Sequence, residues 1–506
     1  MPRTKSADCL TTICLKNIAK NIDRYWFADV DRDFGENPHF LYIVGPFECL
    51  SGEQIQQLIY ILSSFKLLRR QHLHVLISQN LRSLDLSQSV IIANNGLILK
   101  SIGYRCKKLT ALNISNCSWI PATSIADVIR NLPLLKHLGL QKTKSNDLVM
   151  SAIAESCTHL INLEISSCQI TDNGAQSLCG GKLANGPKCK SLVKLDVKAT
   201  KIGINGAVLI IKTFQKLQMF KFADVVEAVK QIVESANNQT KNSENALKLC
   251  YLSATGVKCR GISSTSIVMS VLCCPFVTDL TLYRGATNEN VQYLLNLKFL
   301  RSLKITSDKA GDVTFDDGLL PVLKAKGDNL KYLGLYDIDN IDLCKLGFYC
   351  SNLERLKIFM PMFNPVKFNS SMNYITNPKS GAFRHLKEFM LVIGEDDSIL
   401  QASDLCFVLE NALKLEKLHL INAQCLTDNL LKRILLLNPL VHIEQIELET
   451  CHHVTEDSVW QLIACQSPLK QLTLTGCYEI TRQNLDQFKK FSKAQNLNLS
   501  IYGNIL

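Results

Sequence analysis

Apolar residues recur along most of the chain in the pattern L-x-x-L-x-L, where x is usually polar. Successive copies start mostly about 23 to 33 residues apart, a period typical of repeat proteins with short units. A degenerate unit near Leu249 interrupts the series, and the last unit is shortened. The apolar positions are Leu81-Leu84-Leu86, Leu109-Leu112-Ile114, Leu135-Leu138-Leu140, Leu160-Leu163-Ile165, Leu192-Leu195-Val197, Leu217-Phe220-Phe222, Val277-Leu280-Leu282, Leu300-Leu303-Ile305, Leu330-Leu333-Leu335, Leu353-Leu356-Ile358, Leu386-Phe389-Leu391, Leu415-Leu418-Leu420, Ile443-Ile446-Leu448, Leu469-Leu472-Leu474 and Leu497-Leu499.

Each unit contains two kinds of periodicity. The x-L-x-L part alternates as a short β-strand does, and the residues between strands have helical spacing, as in Ile125, Val128 and Ile129. One unit alone cannot bury its inward leucines, whereas stacked units can. The sequence therefore predicts an α/β leucine-rich-repeat solenoid over residues 76–506. We expect a horseshoe with a parallel sheet on the concave face and helices on the convex face.

Three segments lengthen the period, near residues 223–245, 306–318 and 360–385. The third contains Pro361, Pro365 and Pro378, which predicts a long loop. Extended loops on a regular scaffold often carry binding specificity, and insertions without a function are equally compatible with the pattern.

Cysteines occupy fixed places in the repeat. They stand three residues before the first strand leucine, or just after the strand, which predicts reduced thiols in the core. The stretches from Cys168 to Gly174 and from Cys477 to Thr481 resemble the cysteine-containing leucine-rich repeats of F-box substrate receptors. No C-x-x-C pair is present, so we expect no metal and no cofactor. The repeat cysteines are Cys106, Cys157, Cys189 and Cys350 before the strand, and Cys117, Cys168, Cys451 and Cys477 after it.

Composition and charge narrow the function classes. The 20 cysteines are spread over 506 residues, and the N-terminus is short and polar, so we expect a cytoplasmic and/or nuclear protein without a membrane span. The net charge of +11 comes from scattered lysines and arginines, which makes a nucleic-acid partner the weaker interpretation. No P-loop, dinucleotide fingerprint or hydrolase motif occurs, and we expect no enzyme activity.

Residues 1–75 lie outside the repeat and are predicted to form a small helical box. Leu10, Cys14 and Ile18 are four residues apart, with Leu15 beside them, on one stripe of a helix. Their spacing, L-x-x-x-C-x-x-x-I, resembles the BC-box by which VHL-box and SOCS-box proteins bind elongin C. Cys9 departs from that family, which has Ser, Thr, Ala or Pro at its position. The simpler role of this box is to cap the first repeat.

A second stretch, residues 50–62, resembles the opening helix of an F-box or the cullin-contacting helix of a VHL box. Ser51 stands where the family usually has proline, and Ser51 with Gln54 can form a helix-capping box. The resemblance implies that Leu50, Ile55 and Leu58 contact an adaptor.

The layout of a helical box before a cysteine-type repeat resembles substrate receptors of cullin-RING ubiquitin ligases. That resemblance implies an adaptor, either elongin C or the F-box adaptor, together with a cullin and a protein substrate. Two alternatives remain: an interaction scaffold without a ligase, such as a regulator of a small GTPase, and a basic solenoid that binds nucleic acid. We expect the substrate on the exposed strand positions Ser83, Asp85, Asn113, His137, Glu164, Lys194, Asp196, Lys304, Lys357, Lys417, His419 and Glu447.

Overall fold

The computed structural model describes most of the chain, in segments separated by short gaps. These segments are residues 9–27, 47–88, 96–181, 189–237, 247–249, 251–254, 264–283, 285–307, 312–338, 340–360, 381–394, 400–464 and 467–504. The chain forms two compact units, Ala7–Tyr251 and Leu252–Leu506. The described helices of residues 1–75 belong to the first unit.

The first unit alternates helices with short parallel strands that pair in chain order. Before the sheet come α1 (Leu10–Ile22), a π-helical turn (Asp23–Phe27), α2 (Gly52–Ser64) and α3 (Arg70–Leu76). The strands are β1 (Ser83–Asp85), β2 (Ala111–Asn113), β3 (His137–Gly139), β4 (Asn162–Glu164), β5 (Lys194–Asp196) and β6 (Met219–Lys221). A further strand, β7 (Tyr251–Ala254), begins at the last residue of this unit, Tyr251, which pairs with Met219. The helices between them are α4 (Gly96–Arg105), α5 (Ala122–Arg130), α6 (Asp147–Ser156), α7 (Asp172–Leu178), α8 (Ile204–Thr213) and α9 (Val225–Asn237).

The second unit repeats this order with longer strands, again parallel and paired in sequence. They are β8 (Asp279–Leu282), β9 (Ser302–Thr306), β10 (Tyr332–Tyr336), β11 (Arg355–Phe359), β12 (Glu388–Val392), β13 (Lys417–Ile421), β14 (Gln445–Glu449), β15 (Gln471–Thr475) and β16 (Ser500–Asn504). Its helices are α10 (Ser264–Cys273), α11 (Asn288–Val291), α12 (Leu320–Lys326), α13 (Leu343–Tyr349), α14 (Ala402–Asn411), α15 (Asp428–Leu437), α16 (Glu456–Ala464) and α17 (Arg482–Ala494).

The core of each unit is built from the predicted apolar positions. All of them from Leu81 to Leu474 are buried, and strands such as β9 and β11 to β15 alternate buried with accessible residues, as a sheet with one buried face requires. The degenerate unit near Leu249 also follows the rule, since Leu249 and Leu252 are buried and β7 begins at Tyr251. The α/β leucine-rich-repeat fold predicted from the pattern is confirmed.

The last repeat differs from its prediction. We expected Leu497 and Leu499 to mark the final strand, but β16 begins at Ser500, and Ile501 lies opposite Leu472. Both leucines are buried ahead of the strand. The inward alternation continues from Leu499 to Ile501, and the backbone pairs with β15 only at this later position.

Two of the predicted insertions contain regular structure. Residues 225–237 within the first form the amphipathic helix α9, which contacts α8. In the second, Thr306 ends β9, and Phe315–Leu319 form a π-helical turn that leads into α12. Residues 361–380 of the third lie outside the described part of the chain.

Helix α2 covers the first edge of the sheet. The predicted capping box is present, since the Ser51 hydroxyl accepts from the Gln54 N–H and the Gln54 side chain accepts from the Ser51 N–H. Farther along α2, the Gln56 side-chain amide accepts from the Asp85 N–H at 3.0 Å and donates to the Asp85 carbonyl at 3.4 Å. Gln56 thereby takes the place of a neighbouring strand beside β1.

Successive repeats are also joined on the helical side by short acidic or amide side chains. Asp428, the first residue of α15, accepts hydrogen bonds from the Thr455 N–H and hydroxyl, at 3.2 and 2.8 Å, and from the Ser458 hydroxyl. Asp147 accepts in the same way from Thr171, at 2.9 and 2.7 Å. At these two places the side chain of one repeat fixes the start of the next helix.

Candidate functional site

Helix α1 has apolar residues on two faces. Leu15, Ala19 and Ile22 are buried, and α1 contacts α2. Leu10, at 76% exposure, and Cys14 lie on the outside, while Ile18 is half-buried. The predicted stripe of Leu10, Cys14 and Ile18 is therefore accessible over most of its length, which is the placement that a docking helix needs.

Polar contacts join the C-terminal end of α1 to α3. The buried His72 accepts from the Arg69 N–H through Nδ1 at 3.1 Å, so its Nε2 donates to Asp23 Oδ1 at 2.7 Å. The Arg69 guanidinium lies 3.7 Å from the other oxygen of Asp23. These bonds join the chain just after α1 to α3.

Three of the predicted adaptor contacts are buried. Leu15, Ile55 and Leu58 are 3%, 0% and 0% exposed, so none of them is accessible to an adaptor in this arrangement. Ile55 and Leu58 are inside because α2 must cover the open edge of the sheet. Leu50, just before α2, is half-buried and is the one accessible member of the second predicted set.

In the first unit, the predicted substrate positions form a polar sheet face. Ser83, Asp85, His137 and Lys194 are exposed, whereas Asn113 and Glu164 are half-buried. Asp196 is only 9% exposed, and its carboxylate lies 3.4 Å from Lys221, which excludes it as a freely accessible contact.

Hydrogen bonds between neighbouring strands hold several of these side chains. Asn113 donates to Asp85 at 3.1 Å, and Gln141 donates to Glu164 at 2.6 Å. A partner that binds this face would have to compete with these bonds or accept their arrangement.

In the second unit, Lys417 is exposed, and Lys304, Lys357, His419 and Glu447 are half-buried on the sheet face. The Lys357 ammonium lies 2.6 Å from Glu388, and His419 Nδ1 lies 3.4 Å from Glu447. All five predicted residues can therefore be reached by a partner from the sheet face.

Sequence reasoning missed an aromatic–basic cluster on this second face. We define it as Tyr283, Lys304, Tyr332, Tyr336, Arg355 and Phe359. Tyr332 and Arg355 stand directly before the middle strand leucine, the position that Ser83 and His137 occupy in the first unit. An alignment of the repeats places both residues on the sheet face, but the predicted substrate positions include only Lys304 of this cluster.

The repeat cysteines are structural thiols. Cys106, Cys168 and Cys451 donate to the carbonyl oxygens of Ser78, Leu140 and Leu420, at 3.4, 3.0 and 3.7 Å. Burial raises the pKa of Cys106 and Cys451 to about 12, so both remain protonated at neutral pH. A protonated thiol is a poor nucleophile and a poor metal ligand.

We expect thiol reagents to separate two classes of cysteine. In the native protein, maleimide should modify the exposed Cys14 rapidly and the buried Cys106, Cys157 and Cys350 only after denaturation. Peptide mass spectrometry after a short pulse of reagent measures this, with a urea-unfolded sample as control. Native labelling of Cys106 as fast as that of Cys14 would contradict the assignment.

The described residues contain neither a cluster of metal ligands nor a helix that could cross a membrane. No three His, Cys, Asp or Glu side chains there come together in a way that could hold a metal ion. No helix in those segments has the length and apolar character needed to cross a membrane.

Comparison with known proteins identifies the repeat. A family model described as "Leucine Rich repeat" matches residues 156–179, which include β4 and α7. No curated protein matches the chain. The match and the strand register identify leucine-rich repeats, an architecture that serves as a scaffold for protein interactions.

Similar solved structures include an internalin from Listeria monocytogenes and the complex of Rad7 and Elc1 in yeast. The internalin is 13% identical, with 91% of this chain and 97% of that chain covered and a TM-score of 0.36. The yeast structure is 16% identical, with 98% of this chain and 93% of that chain covered and a TM-score of 0.41.

Proposed function

We propose that this protein is the substrate-recognition subunit of a cullin-RING ubiquitin ligase. In this proposal α1 docks on an elongin C adaptor, and the sheet faces hold a protein substrate. The observation that carries it is the placement of Leu10 and Cys14, which match the BC-box spacing and lie on the outer side of α1.

The geometry of α1 suits docking in a groove. Leu10 presents most of its side chain to solvent, and burying a leucine contributes about 1.5–3 kcal/mol. Cys14, one turn later, has a small side chain that lets another helix come close. The opposite face of α1 is already packed on α2, so docking needs no rearrangement of the core.

Burial favours elongin C over the F-box adaptor. The F-box-like stretch would have to present Ile55 and Leu58, and both are fully buried on the inner side of α2. The BC-box-like stripe needs no buried residue apart from Leu15, which supports α1 from inside. The adaptor contacts in this proposal are therefore Leu10, Cys14 and Ile18, and Leu50 is the one accessible residue of the second predicted set.

A receptor of this kind needs no reactive group. It increases the effective concentration of a substrate lysine near the charged ubiquitin carrier, and binding two partners at separate surfaces is sufficient for that. The two surfaces here are the outer face of α1 and the exposed sheet positions.

The proposal is tested by adaptor binding. The wild-type chain should co-purify with elongins B and C, and Leu10→Ser should weaken that binding by about tenfold or more because it removes the anchor of the stripe. Cys14→Phe should have a similar effect through steric exclusion. The matched control is Leu436→Ser on α15, since Leu436 is 79% exposed on a helix far along the chain.

Thermal unfolding is measured for every variant. An unchanged melting temperature with lost adaptor binding supports the docking role. Failure of the wild-type chain to bind elongin C, or equal weakening by Leu436→Ser, would reject it and leave a repeat scaffold without a ligase.

A further inference from the structure

The aromatic–basic cluster is built across β9, β10 and β11 of the second unit, together with Tyr283, the residue that follows β8. The strand register places Lys304, Gly334 and Lys357 side by side on β9, β10 and β11. Tyr332 of β10 lies in the adjoining row, next to Arg355. Residues that are 28 and 23 positions apart in sequence, Lys304 to Tyr332 and Tyr332 to Arg355, thus meet on one surface.

Two cations face one tyrosine ring. The Lys304 ammonium is 5.4 Å and the Arg355 guanidinium 5.1 Å from the centroid of Tyr332. The ring itself is only 7% exposed, because the two long side chains cover it. Cation–π contacts of this kind hold both positive charges at defined positions on the sheet face.

Gly334 makes room for this arrangement. A Cβ at Gly334 would lie 3.1 Å from the Tyr332 hydroxyl oxygen and 3.2 Å from Cε2 of Tyr336. The absence of a side chain lets Tyr332 lie flat against β10, where its hydroxyl is hydrogen-bonded to Tyr336. Burial raises the pKa of both phenols, so neither carries a negative charge that would offset the cations.

An apolar shelf adjoins the cations. The rings of Tyr336 and Phe359 are stacked, with centroids 4.5 Å apart and an angle of 7° between planes. The ring of Tyr283 also lies beside that of Tyr336, with the two ring centroids 6.0 Å apart. All three rings are half-buried, so their edges are open to a partner while their faces contact one another.

We propose that the aromatic–basic cluster binds an acidic peptide segment of a protein partner, with a carboxylate near Lys304 and Arg355 and an apolar side chain on the Tyr336–Phe359 shelf. The argument is charge complementarity beside an apolar surface. The inference deepens the proposed function, on which it rests for the statement that this partner is the ligase substrate.

Nucleic acid fits this surface less well. The cationic part spans three strands, about 10 Å, and Glu388 on the next strand already neutralises Lys357. Single-stranded nucleic acid is bound along a longer basic groove with ring faces open for stacking. Here the faces of Tyr336 and Phe359 are occupied by each other.

The test uses the full chain without an adaptor and a defined probe, a fluorescent random copolymer of glutamate and tyrosine, measured by anisotropy. We expect the wild-type chain to bind it more tightly than polyglutamate. The double variant Lys304→Glu/Arg355→Glu should bind about tenfold more weakly or worse, and Tyr336→Ala should remove the preference for the tyrosine-containing polymer. Arg355→Lys, which keeps the charge, should retain most of the binding.

The matched control is Lys489→Glu, an exposed lysine on α17 of the same unit that lies outside the predicted substrate positions. It should leave binding nearly unchanged. Equal weakening by Lys489→Glu, no binding by the wild-type chain, or tighter binding of an oligothymidylate than of the copolymer would each overturn the inference. If the double variant unfolds, Arg355→Gln alone provides the comparison.

Binding of elongin C is measured in an experiment separate from copolymer binding. A chain that binds elongin C but not the copolymer keeps the proposed function and loses this inference. A chain that binds the copolymer through the cluster but not elongin C keeps an acidic-peptide site on a scaffold without a ligase.

Discussion

Replacing Phe389 by alanine is expected to lower the free energy of unfolding of the second unit by about 3–5 kcal/mol. Phe389 is 0% exposed at the inward position of β12, between Leu356 of β11 and Leu418 of β13. Its removal leaves a cavity in the row of apolar side chains that joins these repeats. Equilibrium unfolding in urea, followed by circular dichroism, measures the change.

The matched control is Met390→Ala, one residue later on the same strand. Met390 points to the opposite face and is half-buried, so its removal should cost about 1 kcal/mol or less. A loss at Phe389 no larger than that at Met390 would show that β12 does not carry the continuous core described here.

Asp428→Ala is the second substitution for which we expect a large effect, a loss of about 2–4 kcal/mol. The change removes the acceptor for Thr455 and for Ser458, which is fully buried and would be left with an unmet hydroxyl. A hydrogen bond to a charged group contributes about 1.5–3 kcal/mol net of the exchange with water, and bonds that share one carboxylate are not additive. Urea unfolding at neutral pH measures the loss.

The effect of Asp428 should depend on pH. Burial acts to raise the pKa of its carboxyl, but the bonds from Ser458 and Thr455 outweigh it, and the pKa is lowered. A lowered carboxyl pKa stabilises the fold above the unfolded value of about 3.9, and that contribution is lost as the pH falls through the folded value. The difference between wild type and Asp428→Ala should therefore shrink below about pH 4.

Asp457→Ala provides the control for Asp428. Asp457 is exposed in the first turn of α16 and has the same charge near a helix start. Its loss should cost no more than about 1 kcal/mol from the helix dipole. Equal destabilisation by the two substitutions would reject the special role of the contact between repeats.

The repeat can be predicted from the sequence because every unit has apolar strand residues that only a neighbouring unit can bury. Leu356 and Ile358 alternate with accessible residues in one short strand, and neither can be buried without the next unit. The position of Cys168 is predictable for the same reason, since a small apolar donor fits the turn after each strand. Periodicity thus gives the strands, the core and the thiols.

Contacts between elements that are distant in sequence cannot be predicted from periodicity. The L-x-x-x-C-x-x-x-I spacing marks one stripe of α1, but it does not say whether Leu10 or Leu15 faces α2. Burial of Ile55 follows from its place above the sheet edge, which is known only once β1 is placed. The contact of Lys304 and Arg355 with Tyr332 depends on exact register across β9, β10 and β11.

The contact of Gln56 with Asp85 has a consequence for self-association. An edge strand with unpaired N–H and C=O groups is a template on which another molecule can add its own strand, the route to fibrous aggregates. One glutamine side chain on α2 occupies both groups of Asp85 and so blocks strand addition there. The residue that ends the array at β1 thereby also protects the protein from templated growth at that edge.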